Sequence, residues 1–119
     1  MSSETCGSAQ VKVTLLRNFG NVDALNQVDI RRFYVSQELL SKYKHTNLLL
    51  STLMVKLKSL FRAHLEINGR YHGRMKIFWQ DKSPDLVRIV SDEELIIAIA
   101  KMEQDGNYEF FVVPNHNDT

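Results

Sequence analysis

The alternation of apolar and polar positions marks out the elements of this chain. In "VKVTLLR" (11–17), Val11, Val13 and Leu15 alternate with Lys12, Thr14 and Leu16, which is strand spacing. "NFGNVDALNQ" (18–27) sets Gly20 among Asn and Asp and predicts a loop. "VDIRRFYV" (28–35) returns to β-branched and aromatic residues, so the two runs predict a hairpin. Residues 36–47 are polar and weakly periodic. From about Thr46 the period lengthens: Leu50, Leu53, Met54, Leu57, Leu60 and Phe61 share one helical face, with Lys56, Lys58 and Arg62 off it. "EINGRYHGR" (66–74) has two glycines and predicts a loop, and "MKIFWQ" (75–80) predicts a strand. "DKSPD" (81–85) turns the chain into a strand, "LVRIV" (86–90). A helix over "SDEELIIAIAKME" (91–103), a turn at "DGN" (105–107) and a last strand, "YEFFVV" (108–113), complete the pattern. Phe78 and Trp79 are neighbours on one strand, so alternation places one of them in the core.

The order β-β-α-β-β-α-β predicts an α+β domain, with a mixed sheet of about five strands and two helices packed over one face. A ubiquitin-like β-grasp fits this order better than a doubly wound sheet, which would alternate single strands and helices. At 119 residues the chain is one domain by size, and 44% hydrophobic residues suffice for a core. The expected limits are a disordered tail at 1–10, the domain at 11–113 and a C-terminal tail at 114–119. No apolar run approaches the roughly 18 residues needed to span a membrane, and "MSSETCGSAQ" is no secretory signal. The single cysteine, Cys6, rules out an internal disulfide and fits a reducing, cytoplasmic setting.

Charge changes the picture more than composition does. The formal net charge is only +1. Yet residues 1–76 hold 12 Lys/Arg against 5 Asp/Glu, a balance of +7, and residues 77–119 hold 3 against 9, a balance of −6. The acids gather in "DKSPD" and "SDEEL". Ser91 with Glu94 three residues on is a capping box: the Ser91 oxygen accepts from the Glu94 amide, and the Glu94 side chain returns to the Ser91 amide. Asp92 and Glu93 then occupy the first turn, where the helix dipole favours negative charge. Asp81 and Asp85 have no helix to cap.

The stretch "MKIFWQDKSPDLVRIVSDEELIIAIAKM" resembles the acidic motif of the PB1 (Phox and Bem1) domain family, and "VKVTLLRN" with "DIRRFYV" resembles its basic side. Together they cover roughly residues 11–113 and are most similar to PB1 domains of selective-autophagy receptors of the sequestosome type. The resemblance implies a basic face of Lys12, Arg31 and Arg32. It also implies an acidic face of Asp81 and Asp85, flanked by Asp92, Glu93 and Glu94. A domain with both faces can bind copies of itself head to tail, or pair with other PB1 domains in kinases and scaffolds. Such a contact does not close on itself, so it builds filaments or large rings. The implied role is the oligomerising scaffold of an autophagy receptor, in the cytoplasm and in condensates or autophagic bodies. The chain would then be the N-terminal part of a longer receptor or a stand-alone relative.

Three features depart from the family. Lys82, Ser83 and Pro84 stand where its turn carries acids and glycine, and segments 36–47 and 66–74 are long. Arg31 and Arg32 are adjacent, so a regular strand sends them to opposite faces; a bulge or an exposed edge is needed for both to reach one partner. No other chemistry stands out. His45, His64, His72 and His116 are scattered without ligand or triad spacing, and no phosphate-binding glycine loop is present. Neither an enzyme nor a cofactor is therefore expected. The competing reading is an RNA-binding surface formed by Lys42, Lys44, Lys56, Lys58, Arg62, Arg70 and Arg74. The absence of interleaved aromatic residues and the acidic second half both weigh against it.

Overall fold

In a computed structural model the described residues are 8–19, 22–36, 49–67, 70–71, 74–81 and 85–114. They form β1 (Ser8–Leu16), β2 (Gln27–Ser36), helix α1 (Leu49–Leu60), β3 (Glu66–Ile67), β4 (Arg70–Tyr71), β5 (Met75–Gln80), β6 (Leu86–Ile89), helix α2 (Asp92–Asp105) and β7 (Tyr108–Pro114). A five-stranded sheet runs in the order β2-β1-β7-β5-β6. The β1–β7 pair at its centre is parallel, while β1–β2, β5–β7 and β5–β6 are antiparallel. This is the expected mixed sheet with two helices, a ubiquitin-like β-grasp.

β1 begins at Ser8, ahead of the expected start at Val11, because Ser8 and Ala9 pair with Ser36 and Val35. Two-residue strands β3 and β4 pair with each other where the two glycines predicted only a loop. The expected helix start near Thr46 and the polar stretch 37–47 lie outside the described residues, as do the tails at 1–7 and 115–119.

The main core lies between the sheet and the helices. Val11, Val13 and Leu15 of β1, Ile77 and Trp79 of β5, and Phe110 and Val112 of β7 meet Leu57 of α1 and Leu95, Ile99 and Met102 of α2. Leu16, Phe78, Phe111 and Val113 form a second cluster on the opposite face, against Val22 and Leu86, and the Phe19 ring lies 4.9 Å from that of Phe78. Trp79 and Phe78 are therefore both buried, where alternation expected one. The central strands are covered on both faces, which is why "YEFFVVP" is almost continuously apolar.

Local chemistry ends the elements. Asn26 closes the β1–β2 connection: its side chain accepts from the Asn18 amide at 3.0 Å and donates to the Asn18 carbonyl at 2.8 Å. Gly106, at φ 71°, ends α2; its amide reaches the Glu103 carbonyl, and the Asn107 amide reaches that of Met102. That pair of bonds is a Schellman cap, and its left-handed residue favours glycine.

Leu57 is fully buried beneath α1, so Leu57→Ala should destabilise the fold by about 2–5 kcal/mol. Ile97 is 58% exposed on α2, and Ile97→Ala should change stability by less than about 0.5 kcal/mol. Denaturant unfolding of the two variants checks this.

Candidate functional site: two charged edges

The basic residues lie on β1 and β2, at one edge of the sheet. Register places Lys12 opposite Arg32 on one side and opposite Glu109 on the other, giving a row across β2, β1 and β7. The Lys12 ammonium meets the Glu109 carboxylate at 3.5 Å. Arg32 is exposed and makes no ion pair among the described residues. Arg31 pairs in register with Val13 and so points to the helix side. There its Nε donates to Asp29 Oδ2 at 3.0 Å, and His64 Nε2 lies 3.2 Å from the same oxygen. Ile30 donates its amide to the other Asp29 oxygen at 2.9 Å. Burial on its own would raise the Asp29 carboxyl, but the hydrogen bonds from Arg31, His64 and Ile30 and the charge of Arg31 outweigh it and hold the group below its ordinary value.

No bulge separates Arg31 from Arg32: the register is unbroken from Ser8↔Ser36 to Leu15↔Asp29 and shifts only between Leu15 and Leu16. The two arginines do point to opposite faces. They share a location because β2 is an edge strand.

The acids lie along the other edge, at both ends of β6. Asp81 follows β5 and Asp85 precedes β6; both are exposed and neither makes an ion pair among the described residues. Lys82, Ser83 and Pro84 between them lie outside the described residues. Asp92, Glu93 and Glu94 open α2 beyond the far end of β6. Of this trio only Glu93 faces solvent freely. Ser91 Oγ accepts from the Glu94 amide at 3.2 Å, as expected of a capping box. The Glu94 carboxylate, however, returns to the Val90 amide at 2.9 Å and to the Ser91 hydroxyl at 3.2 Å, where the Ser91 amide was the expected donor. Asp92 Oδ1 accepts from the Leu50 amide of α1 at 2.6 Å. α1 has no acid in its own first turn, so α2 supplies one, satisfying an orphan N–H and countering the helix dipole.

No family model matches the chain, and no curated protein matches it. Among solved structures it is similar to the solution structure of the PB1 domain of Cdc24p (long form). The TM-score is 0.56 at 18% identity, over 92% of this chain and 97% of that one. The chain has the fold of a PB1 domain.

On this PB1 fold, sequence reasoning left three charged residues off the basic edge they belong to. Glu109 sits in an apolar strand, and only the parallel pairing puts it beside Lys12. Asp29 carried no motif. Lys56 of α1 places its ammonium 5.3 Å from the centre of the Phe33 ring on β2, and so joins the Arg31 side of the edge. Of the competing RNA surface, Lys42 and Lys44 lie outside the described residues, and Arg62 and Arg74 engage other groups. No cluster of His, Cys, Asp and Glu suited to a metal ion occurs among the described residues, and none of their helices is long and apolar enough to cross a membrane.

Asp92→Ala should destabilise the isolated domain by about 0.5–2 kcal/mol through loss of the α1 cap, whereas Glu93→Ala should stay within about 0.5 kcal/mol; thermal melts of both variants separate the roles. Asp29 supplies a pH signature. Its folded value is depressed below the ordinary 3.8, so its stabilisation is complete above that pH and is lost as pH falls toward the folded value. Asp29→Asn should therefore flatten the acid limb of stability below about pH 4. Urea unfolding at stepped pH measures it.

Proposed function

We propose that this chain is a protein–protein interaction module that assembles head to tail, the basic β2 edge of one copy meeting the acidic β6 edge of the next. One observation carries this reading: Arg32 and Arg31 lie on one outer strand, and Asp81 and Asp85 lie at the turn into the other. Four strand spacings of about 4.8 Å put those edges roughly 19 Å apart, so a single copy cannot neutralise its own faces and two copies can neutralise each other's. The fold of the Cdc24p PB1 domain supports an interaction module. The acids at the start of α2 divide between the two tasks: Glu93 is available to a partner, while Asp92 and Glu94 hold the helices in place and contribute their field.

The finer reading is a self-associating scaffold of a selective-autophagy receptor of the sequestosome type, acting in the cytoplasm. Hetero-pairing with PB1 domains of kinases or other scaffolds would use the same edges. Nothing in this role calls for catalysis or a cofactor. Charge pairs between the edges set orientation and partner choice more than affinity. They are screened over about 8 Å at physiological ionic strength, so assemblies should shrink as salt rises.

The test is complementation. Asp81→Lys/Asp85→Lys reverses the acidic edge, and Arg31→Ala/Arg32→Ala removes the basic one. Each variant alone should be monomeric by light scattering, and the mixture should form a one-to-one dimer. Folded variants that fail to pair would exclude head-to-tail assembly. Retention of RNA by both variants, without a dimer on mixing, would favour nucleic-acid binding.

A further inference from the structure

Of Lys12, Arg31 and Arg32, two are already held by carboxylates of their own chain. Lys12 meets Glu109 at 3.5 Å, and Arg31 meets Asp29 at 3.0 Å. We propose that Glu109 and Asp29 are affinity-setting residues: they occupy Lys12 and Arg31 in the free chain, and an incoming acidic edge must displace them. This rests on the head-to-tail reading above.

Both pairs are built so that the cation can leave. Asp29 does not depend on Arg31, because the Ile30 amide and His64 also bond its carboxylate. If the guanidinium swings away, Asp29 keeps those partners and no stranded charge remains. The Arg31 side chain is 50% exposed and the Lys12 side chain 37% exposed, so each has a path to solvent, while Asp29 and Glu109 are more covered at 26% and 25%. The cations are thus the mobile halves. Glu109 also borders a small crevice, about 100 Å³ in volume, where Gln80, Lys101 and Asn107 offer other polar groups once Lys12 departs, beside the Asp105 carboxylate.

A purely structural role explains less. Glu109 does offset the unfavourable juxtaposition of Lys12 and Arg32, like charges directly across a strand pair. That offset would not require Asp29 to hold Arg31 on the opposite face. What the two acids share is the set of cations they occupy. The consequence is selectivity. A lone carboxylate on a wrong partner gains little by exchanging with an internal one, whereas an edge bearing Asp81, Asp85 and Glu93 together engages all three cations, Arg32 included.

The experiment pairs two forms of the chain by titration calorimetry. The host carries Asp81→Lys/Asp85→Lys and keeps the basic edge. The probe carries Lys12→Ala/Arg31→Ala/Arg32→Ala and keeps the acidic edge. Adding Glu109→Gln or Asp29→Asn to the host should lower Kd about two- to fivefold each, the range of an exposed ion pair, and adding both should multiply the gains. Glu109→Asp, which keeps the charge, should retain most of the unsubstituted affinity. In the otherwise unaltered chain, Glu109→Gln should give larger assemblies at a fixed concentration and salt, a readout that does not need the host to tolerate its lysines. Pairing that is unchanged or weakened by the neutral substitutions in a folded host overturns this inference alone. No pairing with any host, substituted or not, overturns the head-to-tail reading and this inference with it.

Discussion

The parallel pairing of β1 with β7 is the contact on which the rest of the arrangement depends. It joins the first and last described strands at the centre of the sheet. With that seam fixed, β2 can lie only outside β1, and β5 with β6 only on the far side of β7. The chain's division into a basic first part and an acidic second part then becomes a division in space. A sequence with the same charges but β2 beside β6 would neutralise itself internally. The seam also buries β7 on both faces, with Phe110 and Val112 toward the helices and Phe111 and Val113 toward the second cluster. Few single residues could be moved there without loss of packing.

Within that frame, charges do one of two jobs according to how near they lie to an unsatisfied backbone group. Asp92 and Glu94 stand at helix N-termini, where amides lack intrahelical acceptors, and both are drawn inward to them. Asp81, Asp85 and Glu93 meet no such donor among the described residues and stay exposed. The acidic motif is therefore two layers with one sign: an inner layer in which Glu94 caps α2 and Asp92 ties it to α1, and an outer layer left exposed. The inner layer orients the outer one, since Glu93 takes its direction from a helix start fixed by Ser91, Asp92 and Glu94.

Much of this was legible in the sequence. The five main strands, the second helix with its capping box, and the charge division all follow from periodicity and local chemistry, because each is decided within a few residues. The misses are decided across the fold. Alternation separates the two faces of a strand but does not say whether the second face is covered, so the burial of both Phe78 and Trp79 was out of reach. The β3–β4 ribbon is too short for any period to show. Asp92 reads as a first-turn acid from its own helix, and only the docking of α1 reveals whose amide it serves. Lys12–Glu109 required knowing that the last strand runs parallel to the first. The departure at Arg31 and Arg32 was legible as a problem, and the sequence allowed two solutions, bulge or edge; the unbroken register and the outer position of β2 select the edge.

That solution shapes what the basic side can recognise. In the middle of a sheet, adjacent residues on one strand face separate environments and cannot share a partner. At an edge, both side chains can curl around the strand's outer rim, one from each face. Arg32 approaches from the side of Lys12, and Arg31 from the side where Lys56 lies over Phe33. Under the head-to-tail proposal, a partner seated against the rim would be gripped from both faces of the sheet, so its carboxylates must reach two levels. A flat acidic patch could satisfy one arginine but not both, since Arg31 faces Asp29 on one side and Arg32 faces Lys12 on the other. On the proposed assembly, shape and charge act together: the edge geometry would set where a partner's acids must stand, and the internal carboxylates would raise the number it must bring.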